Sequence, residues 1–125
     1  IPELLSALRE GGITLAVLSN KPDFATRAAV SHFFGDTFAA TSGAKEGVRL
    51  KPYPDSLLNM LGGLGISPDE TVYIGDSDQD INTARNASVA GCISVCWGFR
   101  SRDHLISAGT RQLADSPSDI CDLFK

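Results

Sequence analysis

The chain has 125 residues, 42% of them hydrophobic and 21% charged, enough for one ordinary domain with a core of its own. Its 11 Lys and Arg against 15 Asp and Glu leave a net charge of −4, with no basic run and only 7% aromatic residues, which argues against nucleic acid as a partner. No stretch reads as a membrane span or a signal peptide, and Cys92, Cys96 and Cys121 form an odd set without a metal-type Cys-x-x-Cys, a pattern of reduced thiols that predicts a cytosolic (cytoplasmic) setting.

Pro2 to Glu10 reads as the end of an amphipathic helix with Leu4, Leu5 and Leu8 on one side, stopped by Gly11-Gly12. The apolar run Ile13–Leu18 predicts a buried strand, ended by Ser19-Asn20-Lys21-Pro22. Pro22 suits the first turn of a helix and Asp23 its positive end. That helix is expected to run to Phe34, with Phe24, Ala28 and Val30 facing the core, and to close at Gly35. Thr37–Thr41 is a weaker strand candidate, followed by a polar loop from Ser42 to Leu50. Lys51-Pro52-Tyr53-Pro54 then leads into a helix over Asp55–Leu64, with Leu57, Leu58, Leu61 and Leu64 at helical spacing.

After a turn at Ile66–Glu70 comes Thr71-Val72-Tyr73-Ile74-Gly75-Asp76-Ser77-Asp78-Gln79-Asp80. The apolar part predicts a buried parallel strand, and a helix to Ala87 follows with Ile81, Ala84 and Ala87 on one face. Ser88 stands where a left-handed helix cap is expected, a position glycine fills better. Gly91–Cys96 is another buried strand, with Cys92 and Cys96 read as core residues. Gly98–Ser101 is a loop, Ser101–Ala108 a short helix, Gln112–Ala114 a last short strand, and Ser116-Pro117-Ser118-Asp119 opens a terminal helix. Helix and strand alternate throughout, which predicts a parallel sheet covered on both faces: an α/β, three-layer Rossmann-like domain over residues 1–125.

In such a sheet the strand ends share one edge, where ligands bind. Three pieces meet there. The first is Ser19-Asn20-Lys21, whose hydroxyl, amide and backbone N–H groups suit a phosphoryl oxygen at a helix N-terminus, although helix capping accounts for Ser-Asn equally well. Lys21 reads as a solvated lysine. The second is Lys51, a positive charge fixed by the proline after it; alone it would be surface decoration. The third is Asp76 with Asp80, four residues apart at the strand end and in the first helical turn, placed to face one cation. Three carboxylates within five residues repel unless they are solvated or shared with a cation, and Mg²⁺ is typically held by one or two carboxylates plus substrate phosphate. The plain alternative is an N-cap by Ser77 or Asp78. Asp78 is read as an exposed helix residue. Each piece is weak alone; hydroxyl, lysine and paired aspartates in this order make a phosphate-plus-Mg²⁺ site, suited to phosphoryl transfer.

With these motifs in view, the chain resembles the haloacid dehalogenase-like (HAD) phosphatases over essentially its whole length. Val17-Leu18-Ser19-Asn20-Lys21-Pro22 is similar to the family's second motif, Leu50-Lys51-Pro52-Tyr53-Pro54-Asp55 to its third, and Tyr73-Ile74-Gly75-Asp76-Ser77-Asp78-Gln79-Asp80 to its fourth. The three together, with the Trp97-Gly98-Phe99-Arg100-Ser101 tail, look most like the phosphoglycolate phosphatase group. The resemblance implies Ser19 and Lys51 as catalytic, Ser19, Asn20 and Lys51 as substrate-binding, Asp76 as a Mg²⁺ ligand, and Asp80 as the second acid at the metal, supporting its water and the lysine. It also implies an aspartyl-phosphate mechanism on a small phosphorylated metabolite.

The family's first motif, an Asp-x-Asp-Gly-Thr whose first Asp is the nucleophile, has no match, and neither has the cap domain. Asp76-Ser77-Asp78 does not substitute for it. The expectation is therefore a carboxyl-terminal portion of a HAD-like core, incomplete and lacking its first strand, with negligible turnover on its own. The resemblance places that strand between the strands at Ile13–Leu18 and Thr71–Ile74. These two are accordingly expected to close on each other or to recruit a strand from another copy, through homo-oligomer formation or strand exchange. Two other readings share the residues: a phosphosugar mutase of the same fold, and a non-catalytic domain that binds phosphate or Mg²⁺ or serves assembly.

Overall fold

The computed structural model describes residues 2–49, 51, 53–97, 102–107, 109–110 and 112–123. In chain order these form α1 (Pro2–Glu10), β1 (Ala16–Pro22), α2 (Asp23–Phe34), β2 (Ala40–Ala44), α3 (Asp55–Leu64), a 3-10 turn (Pro68–Glu70), β3 (Val72–Gly75), α4 (Asp78–Ala87), β4 (Gly91–Val95), α5 (Arg102–Ser107), β5 (Gln112–Ala114) and α6 (Pro117–Leu123). Leu50, Pro52, the loop 98–101 and the side chain of Cys121 lie outside the described residues.

Every strand pairing among the described residues is parallel, as expected of strands separated by helices. Two apolar clusters fill the two faces. On one, Leu4 and Leu8 of α1 meet Ile93 and Val95 of β4, Ala114 of β5 and Ile120 of α6. On the other, Leu57 and Leu61 of α3 meet Tyr73 of β3 and Ala84 and Ala87 of α4, with Leu18 of β1 and Cys92 packed against them. Each fully covered leucine contributes roughly 1.5–3 kcal/mol of transfer free energy.

The sheet is in two pieces: β1 pairs with β2, and β3 with β4 and β5, and no hydrogen-bonded ladder joins β1 to β3 among the described residues. The expected direct closure of these two strands therefore does not occur. The gap has a visible cost in β3. Tyr73 is buried on the α3/α4 face, whereas Val72 and Ile74, on the opposite face, are 37% and 40% exposed. The apolar run at 71–74 is thus a strand covered on one face only. Ile93, the ladder partner of Ile74, is 2% exposed, so the bareness belongs to the gap side.

β1 differs from its expected bounds. It begins at Ala16 and continues through Ser19–Pro22. Leu18 pairs with Ser42 and Pro22 with Ala44, so three residues on β1 stand against one, Gly43. The surplus backbone bulges out at the strand end. Gly43 makes this possible: a Cβ there would lie 2.5 Å from the Lys21 carbonyl and 2.6 Å from Asp23 Cα. Its N–H donates to Asp23 Oδ1 at 2.9 Å, tying β2 to the start of α2.

β2 begins three residues later than expected because Thr37 closes the preceding helix, its N–H and hydroxyl both donating to the Phe34 carbonyl. Pro22 is the N-cap of α2 rather than its first helical residue. The buried face of that helix is Thr26 and Val30; Phe24, 78% exposed, and Ala28 point to solvent, against the expected core set. Leu58 is likewise exposed at 41%, while Leu57 and Leu61 are buried. Cys92 and Cys96 are half-buried rather than interior. Ser88 does adopt the left-handed cap, at φ 58°. No helix among the described residues is long and apolar enough to cross a membrane.

Candidate functional site

The strand ends of both sheet pieces border one cavity of about 440 Å³, lined by Asn20, Lys51, Asp76, Ser77, Asp78, Gln79 and Asp80. The three separated sequence pieces are thus brought together. Asn20 reaches it from the β1 bulge. Its Oδ1 accepts the backbone N–H of Lys51 at 3.2 Å, pinning the loop before α3 to the strand end 31 residues away. Ser19 is half-buried just behind Asn20 and is not among the lining residues. Its Oγ accepts the Lys21 N–H at 3.1 Å, which leaves the hydroxyl proton for an outside acceptor. Lys21 is exposed, as expected.

Asp80 is the hub. It lies in the first turn of α4, is 6% exposed, and receives four donors on two oxygens. Lys51 Nζ at 2.9 Å and the Tyr73 hydroxyl at 3.1 Å donate to Oδ1. The backbone N–H of Asp76 and the Ser77 hydroxyl donate to Oδ2, both at 3.0 Å. Burial pushes its carboxyl up, but the Lys51 hydrogen bond and charge, with the Asp76 N–H and Ser77 hydroxyl, outweigh that and hold it below the usual carboxylate range. A Cβ on Gly75 would run into this carboxylate, so glycine at the end of β3 is what lets Asp80 approach. Ser77 also caps α4, its Oγ accepting the Asp80 N–H at 3.3 Å. Capping and site-building are here the same contacts.

Lys51 bridges the two sheet pieces. Besides Asp80, its ammonium faces the Leu18 carbonyl of β1 at 3.5 Å and stands 5.5 Å from the centre of the Tyr73 ring. An ammonium has three protons; with two directed to protein oxygens, one remains for a ligand. Upstream, Arg49 holds the loop by a two-pronged contact to Asp55, at 2.9 and 3.0 Å, and by stacking on Tyr53.

Asp76 lines the cavity, and so does Asp78, half-buried rather than exposed. Three carboxylates and one ammonium border the opening. Carboxylate oxygens are the donors a hard cation takes, few of them from the protein. Among the described residues no three His, Cys, Asp or Glu side chains form a ready metal cage; Asp76 with one neighbouring carboxylate and ligand oxygens is the donor set that fits.

Tyr73 is the site residue that the sequence does not single out. In the sequence it is only part of an apolar run. The available signal is its place two residues before Gly75, on the same strand face, where a buried phenol needs a partner. Burial first, then the Asp80 charge and hydrogen bond, push its hydroxyl well above the ordinary tyrosine range. Burial likewise raises the Cys92 thiol to about 11.

Known proteins resemble this chain in sequence and in fold. The chain is 35% identical over 127 residues to a phosphoglycolate phosphatase from Pectobacterium atrosepticum, covering 99% of this chain and 53% of the relative. It superposes with a TM-score of 0.94 and 40% identity on a Lactobacillus delbrueckii subsp. bulgaricus protein assigned as a phosphoglycolate phosphatase, over 98% of this chain and 51% of that one. For a predicted phosphatase from Clostridium acetobutylicum the TM-score is 0.88 at 27% identity, over 98% of this chain and 56% of that one. The chain thus spans about half the length of the relatives it matches. The sequence model of the haloacid dehalogenase-like hydrolases matches residues 1–93, a span that contains Ser19, Asn20, Lys51, Asp76 and Asp80, and the chain belongs to that family.

Proposed function

We propose that this chain is the phosphate- and cation-holding half of a Mg²⁺-dependent phosphomonoester hydrolase, acting in its full-length form on 2-phosphoglycolate or a similar small metabolite. The observation that carries the reading is Lys51, bonded to Asp80 and facing the Leu18 carbonyl with a proton to spare, at the wall of a cavity shared with Asn20 and Asp76. A lysine needed only for structure would be satisfied by the Asp80 pair. The relatives named as phosphoglycolate phosphatases support the substrate class.

In this reading Lys51 donates to a phosphoryl oxygen, Asn20 offers its NH₂ group, and the Ser19 hydroxyl gives its unused proton to the same phosphoryl group. Asp76, with a neighbouring carboxylate, would hold Mg²⁺. Asp80 acts by fixing Lys51 and the Asp76 backbone. When bound, the cation neutralises charge on the phosphate and draws it toward an attacking group. The attacking aspartate of the aspartyl-phosphate route is not a residue of this chain, whose sequence holds no Asp-x-Asp-Gly-Thr. A Thermotoga maritima protein assigned as a β-phosphoglucomutase shares the fold at 21% identity, which bears on architecture alone.

Calorimetric titration of inorganic phosphate in the presence and absence of Mg²⁺ tests the reading. Saturable binding that requires Mg²⁺, falls at least about tenfold in Lys51→Met and loses its Mg²⁺ dependence in Asp76→Asn is the expected outcome. Equal binding by the wild type and Lys51→Met would refute it.

A further inference from the structure

We propose that Tyr73 is a positioning residue for the anion site: its hydroxyl occupies Asp80 Oδ1 beside Lys51, and so keeps one Lys51 proton free for phosphate. The inference rests on the phosphate reading of the site. Three observations lead to it. The Tyr73 hydroxyl and Lys51 Nζ share one oxygen, at 3.1 and 2.9 Å. The other oxygen is filled by the Asp76 N–H and the Ser77 hydroxyl, so it offers the lysine nothing. The Tyr73 ring lies beneath the ammonium, 5.5 Å from it.

A carboxylate oxygen accepts about two hydrogen bonds. With the phenol in place, Oδ1 is saturated by one Lys51 proton and one tyrosine proton, and its charge is shared between the two donors. Without the phenol, Oδ1 keeps a vacant lone pair and its full charge next to a three-proton donor. The ammonium then turns further into the Asp80 pair, and a second proton is drawn from the cavity to the carboxylate. Core packing does not require the hydroxyl. Tyr73 is 8% exposed, and its ring packs with Leu57, Leu61, Ala84 and Ala87, contacts a phenylalanine would keep. The hydroxyl is therefore separable from the packing.

The proposal is tested by a double-mutant cycle on inorganic phosphate binding with Mg²⁺, using wild type, Tyr73→Phe, Lys51→Met and the double variant. Tyr73→Phe is expected to weaken binding about three- to tenfold, to lower the thermal midpoint modestly because Asp80 loses one of its four donors, and to have no further effect on binding once Lys51 is methionine. An equal effect in both lysine backgrounds, or none in the wild-type background, overturns the role of Tyr73 while leaving the phosphate reading intact. If Lys51→Met itself binds phosphate as the wild type does, the phosphate reading fails and the role of Tyr73 with it. Should Tyr73→Phe not fold, 3-fluorotyrosine at this position provides a stronger donor. Tighter phosphate binding is then expected, and unchanged or weaker binding overturns the proposal.

Discussion

At the scale of single residues the site is organised by one carboxylate. Asp80 is buried and would be costly as a lone charge; four donors, one of them an ammonium, make it tolerable. Because its carboxyl is held below the ordinary range in the fold, it adds stability at pH values above its unfolded pKa. That contribution is lost as pH falls through the lower, folded value. Asp80→Asn leaves Lys51 beside a neutral partner and is expected to cost about 3 kcal/mol near pH 7. Urea unfolding at several pH values checks this: the gap between wild type and variant should narrow below about pH 4. A gap that stays constant with pH would mean that the charge of Asp80 is not what stabilises the fold. Asp23 and Asp55 are also held low by their hydrogen-bond partners, but they are present in both proteins and cancel in the comparison.

At the scale of elements, the two sheet pieces carry facing edges that no ladder joins among the described residues. Val72 and Ile74 leave an apolar surface bare beside the β3 edge, a combination that invites pairing with another chain. With direct closure set aside, recruitment of a strand from a second copy is the remaining form of the expectation, and we propose it for this polypeptide in isolation. Sedimentation at micromolar concentrations should show self-association, reduced by Ile74→Lys. A strict monomer across that range, with Ile74→Lys indistinguishable from it, would contradict the proposal.

Most of the element order was legible because the helices carry clean stops: Gly11-Gly12 after α1 and Gly65, at φ 69°, after α3. The strands were less legible. Ser19 to Pro22 read as a strand end, whereas β1 runs on through them, because the bulge depends on a glycine on the neighbouring strand, far away in sequence. Phe24, Ala28 and Val30 fit a helical stripe, yet of these α2 buries Val30 alone, beside Thr26, because the Thr26 hydroxyl finds the Lys21 and Pro22 carbonyls at the helix start. The ligand-facing groups Asn20, Lys51 and Asp76 were recognisable as residue types at strand ends. The hydrogen bonds that orient them, above all the Tyr73 contact, arise only when three elements meet.

At the scale of the whole molecule, a small acidic α/β domain holds a lysine and an amide against carboxylates at one edge of an interrupted sheet. It covers about half the length of its relatives. We propose that this half binds and orients phosphate, while the attacking aspartate is supplied from outside these 125 residues. Phosphate release from 2-phosphoglycolate with Mg²⁺ measures this directly, comparing the 125-residue chain with the same chain joined to a first-motif segment taken from a relative. Negligible release is expected from the chain alone, since loss of a covalent nucleophile commonly costs several orders of magnitude, and turnover by the joined chain should disappear in Lys51→Met. Brisk hydrolysis by the 125-residue chain alone, or turnover by the joined chain that is indifferent to Lys51, would contradict it.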